Sequence, residues 1–225
     1  MSSSSSLPAR GFVALWHRVP WNSVFWLVSL SLLALSVFFA FSVEMRRRAN
    51  YLPDETASIR NGEIVRVVRI VKGDEFAIEK GLHTARVRML GILSFDPVVN
   101  EFEITGFGRA AVGFLEQWVL NRPVRIHFDD PIRDVHGRYL AYIERDGIDL
   151  NRRMIEEGVA TVYTEYPFGR ESSYLTSEEM ARAAGRGVWG SKHAVQRIRA
   201  LRKQWAASRL ARTGQLPVDD LEAAP

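Results

Sequence analysis

The sequence predicts an α+β domain, mainly β, with five short strands and three helices behind one apolar N-terminal helix. Three observations carry this reading. Gly62–Asp96 alternates apolar and charged residues in three short runs, parted by the turns Lys72-Gly73-Asp74 and Lys80-Gly81. Two further alternating runs follow at Pro123–Phe128 and Tyr139–Glu144. Ahead of them, Trp21–Val43 holds 23 residues without a charge, enough at 1.5 Å per residue to cross a bilayer core.

Each element has its own local cause. Ile64, Val67, Val68, Ile70 and Val71 form the first strand, Phe76 and Ile78 the second, and Val87, Met89 and Leu90 the third. Asp74 then sits at a strand end, and Arg86 and Arg88 share a face. Val98–Gly106 reads as a loop. A helix from about Gly108 to Leu120 buries Ala111, Phe114, Leu115, Trp118 and Val119. Asn151 is the expected N-cap of a helix Arg152–Glu157, stopped by Gly158. The third helix is expected at Ser177–Ala184, with Trp189 plugging its end. Trp118 and Trp189 are core residues on this reading, and His136 is a surface turn residue.

The sequence divides into a polar tail (1–20), the apolar helix (21–43), a linker (44–61), the β-rich domain (62–190), a basic amphipathic segment (191–213) and an acidic tail (214–225). Trp16, Trp21 and Trp26 mark one end of the apolar helix, as interfacial aromatics do, and the apolar run is longer than the core of an ordinary signal peptide. A retained single-pass membrane anchor is therefore expected. Arg46–Arg48 pull the C-terminal flank to the cytoplasm while Arg10 and Arg18 pull the other way, so the side of the membrane stays open.

Net charge is +4, but residues 49–190 hold 18 basic and 22 acidic side chains. A domain of that charge does not gather polyanions by its bulk field. The excess positive charge lies in 191–213, where Lys192, Arg197, Arg199, Arg202, Lys203, Arg209 and Arg212 surround Val195, Ile198, Leu201 and Trp205. Two readings follow: a helix packed on the domain with a solvated basic face, or an amphipathic helix lying on anionic lipid or nucleic acid. Cysteine is absent, which excludes disulfides and thiolate metal sites.

The motifs Gly73-Asp74, Val87–Leu90, Phe107–Ala111, Asp134–Ile143 (DVHGRYLAYI), Asn151–Ala160 and Gly187–Trp189 stand in one order. Over roughly Gly62–Trp189 they resemble the thermonuclease (staphylococcal nuclease-like) family. The resemblance implies a five-stranded OB-type barrel with three helices and calcium-dependent hydrolysis of DNA or RNA phosphodiesters. It implies Asp74 as metal ligand, Ser94 as a backbone-carbonyl metal ligand and Asp96 as the water-activating base. It assigns phosphate binding to Arg88 and Arg138, and a place beside the nucleotide to Tyr166. Leu93 departs from the pattern, since the family has a metal-binding aspartate there and leucine offers no oxygen. Asp96 is one methylene shorter than the family's glutamate, and Lys72 replaces an acid. Glu75 is expected to point away from Asp74, leaving Glu101 and Glu103 as replacement ligands.

Taken singly, Asp74 is also a plain turn residue, Arg88 a surface ion-pair partner and Arg138 a partner for Asp134. Two functions are therefore expected of this sequence. One is a membrane-anchored, metal-dependent nuclease. The other is a catalytically inactive module that binds protein or single-stranded nucleic acid at the membrane.

Overall fold

The computed structural model describes residues 21–51, 58–81, 83–98 and 102–214. The chain forms two compact units, residues 1–52 and 53–225. In the first, the described residues form one helix, α1 (Trp21–Tyr51), which continues eight residues beyond the expected end of the apolar run because nothing in EMRRRANY breaks a helix. Its stretch Phe25–Ser42 is long and apolar enough to cross a membrane, with its large apolar side chains exposed. An N-terminal signal sequence has the same length and composition. The arginines Arg46–Arg48 lie where side chains are not described, and residues 1–20 and 215–225 of the tails fall outside the described residues.

The second unit is built on a closed barrel. Strands β1 (Ile64–Lys72), β2 (Glu75–Lys80) and β3 (His83–Met89) form an antiparallel meander. β5 (Pro123–Arg133) pairs with β1, and β6 (Tyr139–Arg145) with β5. The parallel pairing of β3 with β6, through Val87–Tyr139, Arg88–Leu140 and Met89–Ala141, closes the ring. Closure removes the sheet edges. Alternate residues Val65, Val67, Phe76, Ile78, Val87, Met89, Val124, Ile126, Ala141 and Ile143 fill the interior. The expected five-stranded barrel is thus present. The short strands β4 (Ile92–Leu93) and β8 (Thr161–Val162) pair outside it, and β7 (Ile148–Asp149) turns back to pair antiparallel with the end of β6.

Three helices cover the barrel, and all begin earlier than the sequence suggests. α2 spans Phe102–Trp118, so the expected loop is helical from Phe102 onward. Burial of Ile104 beside Ala181, Val188 and Trp189 outweighs the glycines at 106 and 108. α3 spans Leu150–Glu156, and its N-cap is Asp149, whose side chain accepts from the Arg152 N–H, rather than Asn151. Asn151 is buried and does something else. It accepts from the Ile143 N–H and donates to the Leu90 and Ala141 carbonyls, satisfying backbone groups of β6 and of the end of β3 that water cannot reach. α4 spans Glu171–Ala183. A 3₁₀ turn follows at Gly187–Gly190, where Trp189 is core as expected.

At Gly158 and Gly187 two backbone segments cross. Both have positive φ (69° and 52°), the Val188 N–H donates to the Gly158 carbonyl at 2.9 Å, and a Cβ on either glycine would strike the other segment's carbonyl.

α5 (Lys192–Thr213) packs on this unit with its apolar face inward: Ala194, Ile198 and Trp205 are buried. This corrects the reading in which that face rests on lipid, because the domain already occupies it. Arg202 and Arg209, expected among the solvated basic residues, are also buried, each against a carboxylate of α4. Arg202 pairs with Glu178, and Arg209 with Glu171 at 2.6 Å.

Candidate functional site

The site is assembled where β3 meets β6. Arg88 lies on β3 opposite Glu75 of β2 and beside Leu140 of β6. Arg138 ends the β5–β6 turn, whose shape is set by Asp134. One Asp134 oxygen accepts from the His136 and Arg138 backbone N–H groups (2.9 and 3.0 Å), and the other from Arg138 Nε at 2.8 Å. The motif D-x-x-G-R therefore works locally, with the aspartate folding the turn and then gripping the arginine it presents. His136 is exposed, as a turn residue should be.

Arg138 has a second partner. Its Nη1 donates to Glu75 Oε2 at 2.7 Å, while Arg86 holds the other Glu75 oxygen. Glu75 is almost fully buried and so belongs to the arginine network, a role that the alternation of β2 alone did not show. Burial works against the charge of Arg138, but Asp134 and Glu75 outweigh it and hold its pKa above the ordinary arginine value. Burial likewise pushes Asp134 upward, and the hydrogen bonds and charge of Arg138 reverse that, leaving its carboxyl below the usual range.

Beside these arginines lies a cleft of about 330 Å³, lined among others by Arg88, Arg138, Leu140, Tyr163, Tyr166 and Phe168. The Arg88 guanidinium sits 5.2 Å above the Tyr163 ring. Tyr163 donates its hydroxyl to Glu165, and burial together with that carboxylate raises its pKa. Tyr166 is about half exposed at the rim. The cleft thus joins two forked donors to flat aromatic walls, a combination that suits a phosphate attached to a ring.

The expected metal residues stand apart from that lining. Asp74, in the β1–β2 turn, is buried, and burial raises its carboxyl pKa while the Arg88 charge and the Ser94 N–H pull it down. Gly73 permits this depth: a Cβ there would strike Ala111 of α2 and lie 2.6 Å from Ser94 Oγ. Ser94 Oγ is itself buried without a hydrogen-bond partner. Leu93 is in β4, paired with Thr161. Asp96 turns to Lys72 (3.0 Å) and to the Val98 N–H (2.9 Å). Slight burial raises its pKa, but these two donors together hold it below the ordinary value. The structure therefore brings Arg88, Arg138 and Tyr166 to one cleft, and Asp74, Ser94 and Asp96 do not line it. Among the described residues no three His, Cys, Asp or Glu side chains gather as a metal cluster. Glu101 lies outside the described residues, and Glu103 faces His193 at 3.6 Å.

The chain is similar in sequence to known proteins. Residues 86–191 match the family model described as staphylococcal nuclease homologue. The thermonuclease of Staphylococcus hyicus is 20% identical over 161 residues, which covers 71% of this chain and 95% of that protein. The thermonuclease of Staphylococcus intermedius is 31% identical over 99 residues, covering 44% of this chain and 59% of that protein. An uncharacterized endonuclease of Escherichia coli is 27% identical over 131 residues, covering 58% and 79%. The barrel is of the staphylococcal-nuclease OB type, and these likenesses support the nuclease-like family at low identity.

Proposed function

We propose that the barrel is a nuclease-type phosphodiesterase that binds a single strand of DNA or RNA across the β3–β6 cleft. The observation that carries this reading is the convergence of Arg88 and Arg138 on one cleft with Tyr163 and Tyr166. The guanidinium groups hold the phosphate and balance the charge that grows on its oxygens during hydrolysis. Tyr166 takes the neighbouring base or sugar on its ring, which favours an unpaired strand. Asp96, once released from Lys72, takes the proton of the attacking water. On this reading α1 anchors the enzyme in a membrane.

The oxygen donors decide which metal suits the site. A calcium cage needs six to eight oxygens. Asp74 and Ser94 supply a carboxylate, a carbonyl and an unpartnered hydroxyl, and Leu93 supplies none. They do not fill that cage. They do fit a divalent ion that keeps most of its water and shares the substrate's phosphate oxygens. Asp74 and Ser94 would hold such an ion, and its chemistry would be to polarise the phosphate. Protein affinity for it is expected to be weak, on the order of 10⁻³ M or worse.

A second reading is favoured by one observation. Arg138 already has two carboxylate partners and Asp96 already has Lys72, so the cleft can serve as a binding module for a phosphorylated ligand without hydrolysing it. The test is cleavage of single-stranded DNA and RNA by the full chain in detergent, with and without chelator, beside Arg138→Ala. Chelator-sensitive cleavage that the variant loses supports the enzyme. Oligonucleotide binding without cleavage by the folded protein supports the module, and neither binding nor cleavage overturns both.

A further inference from the structure

The family match stops at Ser191, the residue that caps α5. Yet α5 reaches back to the wall of the cleft. Trp205, Arg209 and Arg212 lie four and three residues apart, on one face of the helix, and they touch four consecutive residues of the segment after β8. Trp205 packs edge-on against Tyr163, with ring centres 4.9 Å apart. Arg209 donates to the Thr164 carbonyl at 3.2 Å while its pair with Glu171 fixes it to α4. Arg212 donates to the Glu165 carbonyl at 3.0 Å and to the Glu165 carboxylate at 3.2 Å. Its guanidinium also lies 4.2 Å over the Tyr166 ring and donates to that hydroxyl at 3.3 Å.

Beyond Val162 the segment leaves the strand, and only the Tyr163 N–H, donating to the Gly91 carbonyl at 2.9 Å, ties its backbone to a neighbouring backbone among the described residues. Tyr163 and Tyr166 are nonetheless cleft walls, and Tyr163 carries Arg88 on its face. A wall with so little backbone pairing keeps its shape largely through side-chain contacts, and α5 supplies several of them. We propose that α5 is a positioning clamp that belongs to this chain rather than to the shared barrel. Trp205, Arg209 and Arg212 fix residues 163–166, and so set the affinity of the cleft for its phosphorylated ligand. Arg212 carries the adjustable part. It is only partly buried, its fork spans two residues, and it covers one face of Tyr166, directing the ligand to the other. The inference deepens the reading of the cleft as a nucleotide-phosphate site and rests on it.

The test uses the full chain in detergent with Arg212→Ala and Arg212→Lys, leaving the buried Arg209 in place so that the fold is kept. Amide hydrogen exchange of residues 163–168 is measured together with binding of thymidine 5′-monophosphate and the kinetics of oligonucleotide cleavage. Arg212→Ala is expected to speed exchange in that segment about tenfold, the scale of one cation–π contact plus a hydrogen bond. It weakens nucleotide binding by a similar factor and raises KM with kcat changed less than about twofold. Arg212→Lys recovers part of this, because a point charge replaces a stacked fork. Unchanged exchange in Arg212→Ala overturns the clamp whatever the nucleotide does. Faster exchange with no nucleotide binding by the wild-type protein keeps the clamp and overturns the ligand reading of the cleft.

Discussion

Arginine is used in opposite ways at two places in the domain. On α5, Arg202 and Arg209 are each buried against one carboxylate of α4, with exposures of 5% and 6%. At the cleft, Arg138 has two carboxylates and keeps a face on open space, while Arg88 rests on a tyrosine ring. The first arrangement satisfies a charge inside protein and leaves nothing for a ligand. The second holds a charge in place while a partner can still reach it. The residue type does not distinguish a staple from a binding group. What distinguishes them is whether the fork ends in protein or at a surface cavity.

The comparison breaks most visibly at the staple. Glu178→Ala strands the buried Arg202 charge, and loss of one partner from such a pair typically costs about 3–5 kcal/mol. Chemical denaturation of the full chain should show that loss, whereas a double change to apolar residues of matching volume should cost much less. Next in size is Arg138→Ala. Removing one preorganised donor from a developing oxyanion costs about 10²–10³ in kcat, read by initial rates on single-stranded substrate. The same change lowers stability less than Glu178→Ala does, because Arg86 still covers Glu75.

Asp74 gives a pH signature. Its pKa is raised in the folded protein by burial, so the native state holds a proton that the unfolded chain has released. Stability then falls as pH rises from the unfolded pKa of about 3.9 through the higher folded value. Asp74→Asn should therefore melt at a higher temperature than wild type at pH 7, and the difference should vanish towards pH 3. A wild-type protein that is the more stable at pH 7 would mean that Asp74 is ionised and well compensated there. The smallest effect is expected for Lys72→Ala. The Lys72–Asp96 pair is exposed, and such pairs contribute about 0–1 kcal/mol. Stability should hardly move, and cleavage should rise if the lysine restrains the base.

The barrel was legible because its signals are local. Alternation in β1–β3, turn residues at Gly73-Asp74 and Lys80-Gly81, and the D-x-x-G-R turn each work over a few residues. Arg88, Arg138 and Tyr166, expected together from motifs of that kind, do come to one cleft. What escaped depends on contacts between elements far apart in sequence. Glu75 and Arg138 meet only because β3 and β6 close the barrel, bringing the β2 side chain under the β5–β6 turn. The burial of Arg202 and Arg209 follows from two acids on α4, whereas the charge pattern of 191–213 read alone describes a solvated face. Asn151 looks like a helix cap by residue type. Its burial beneath the ends of β3 and β6 leaves the cap to Asp149.

The crossing at Gly158 and Gly187 bears on how this domain could be recombined. Gly158 leaves room for the Arg186 carbonyl and Gly187 for the Gly158 carbonyl, and α5 starts just beyond the second of them. A chimera that takes α3 from one parent and α4 with α5 from another inherits a working crossing only if both parents bring glycine. With alanine at either position the two backbones separate, and the helix that grips residues 163–166 departs from a different origin. Where one parent lacks either glycine, the stretch from α3 to α5 has to be exchanged as one cassette, with the cut made outside it.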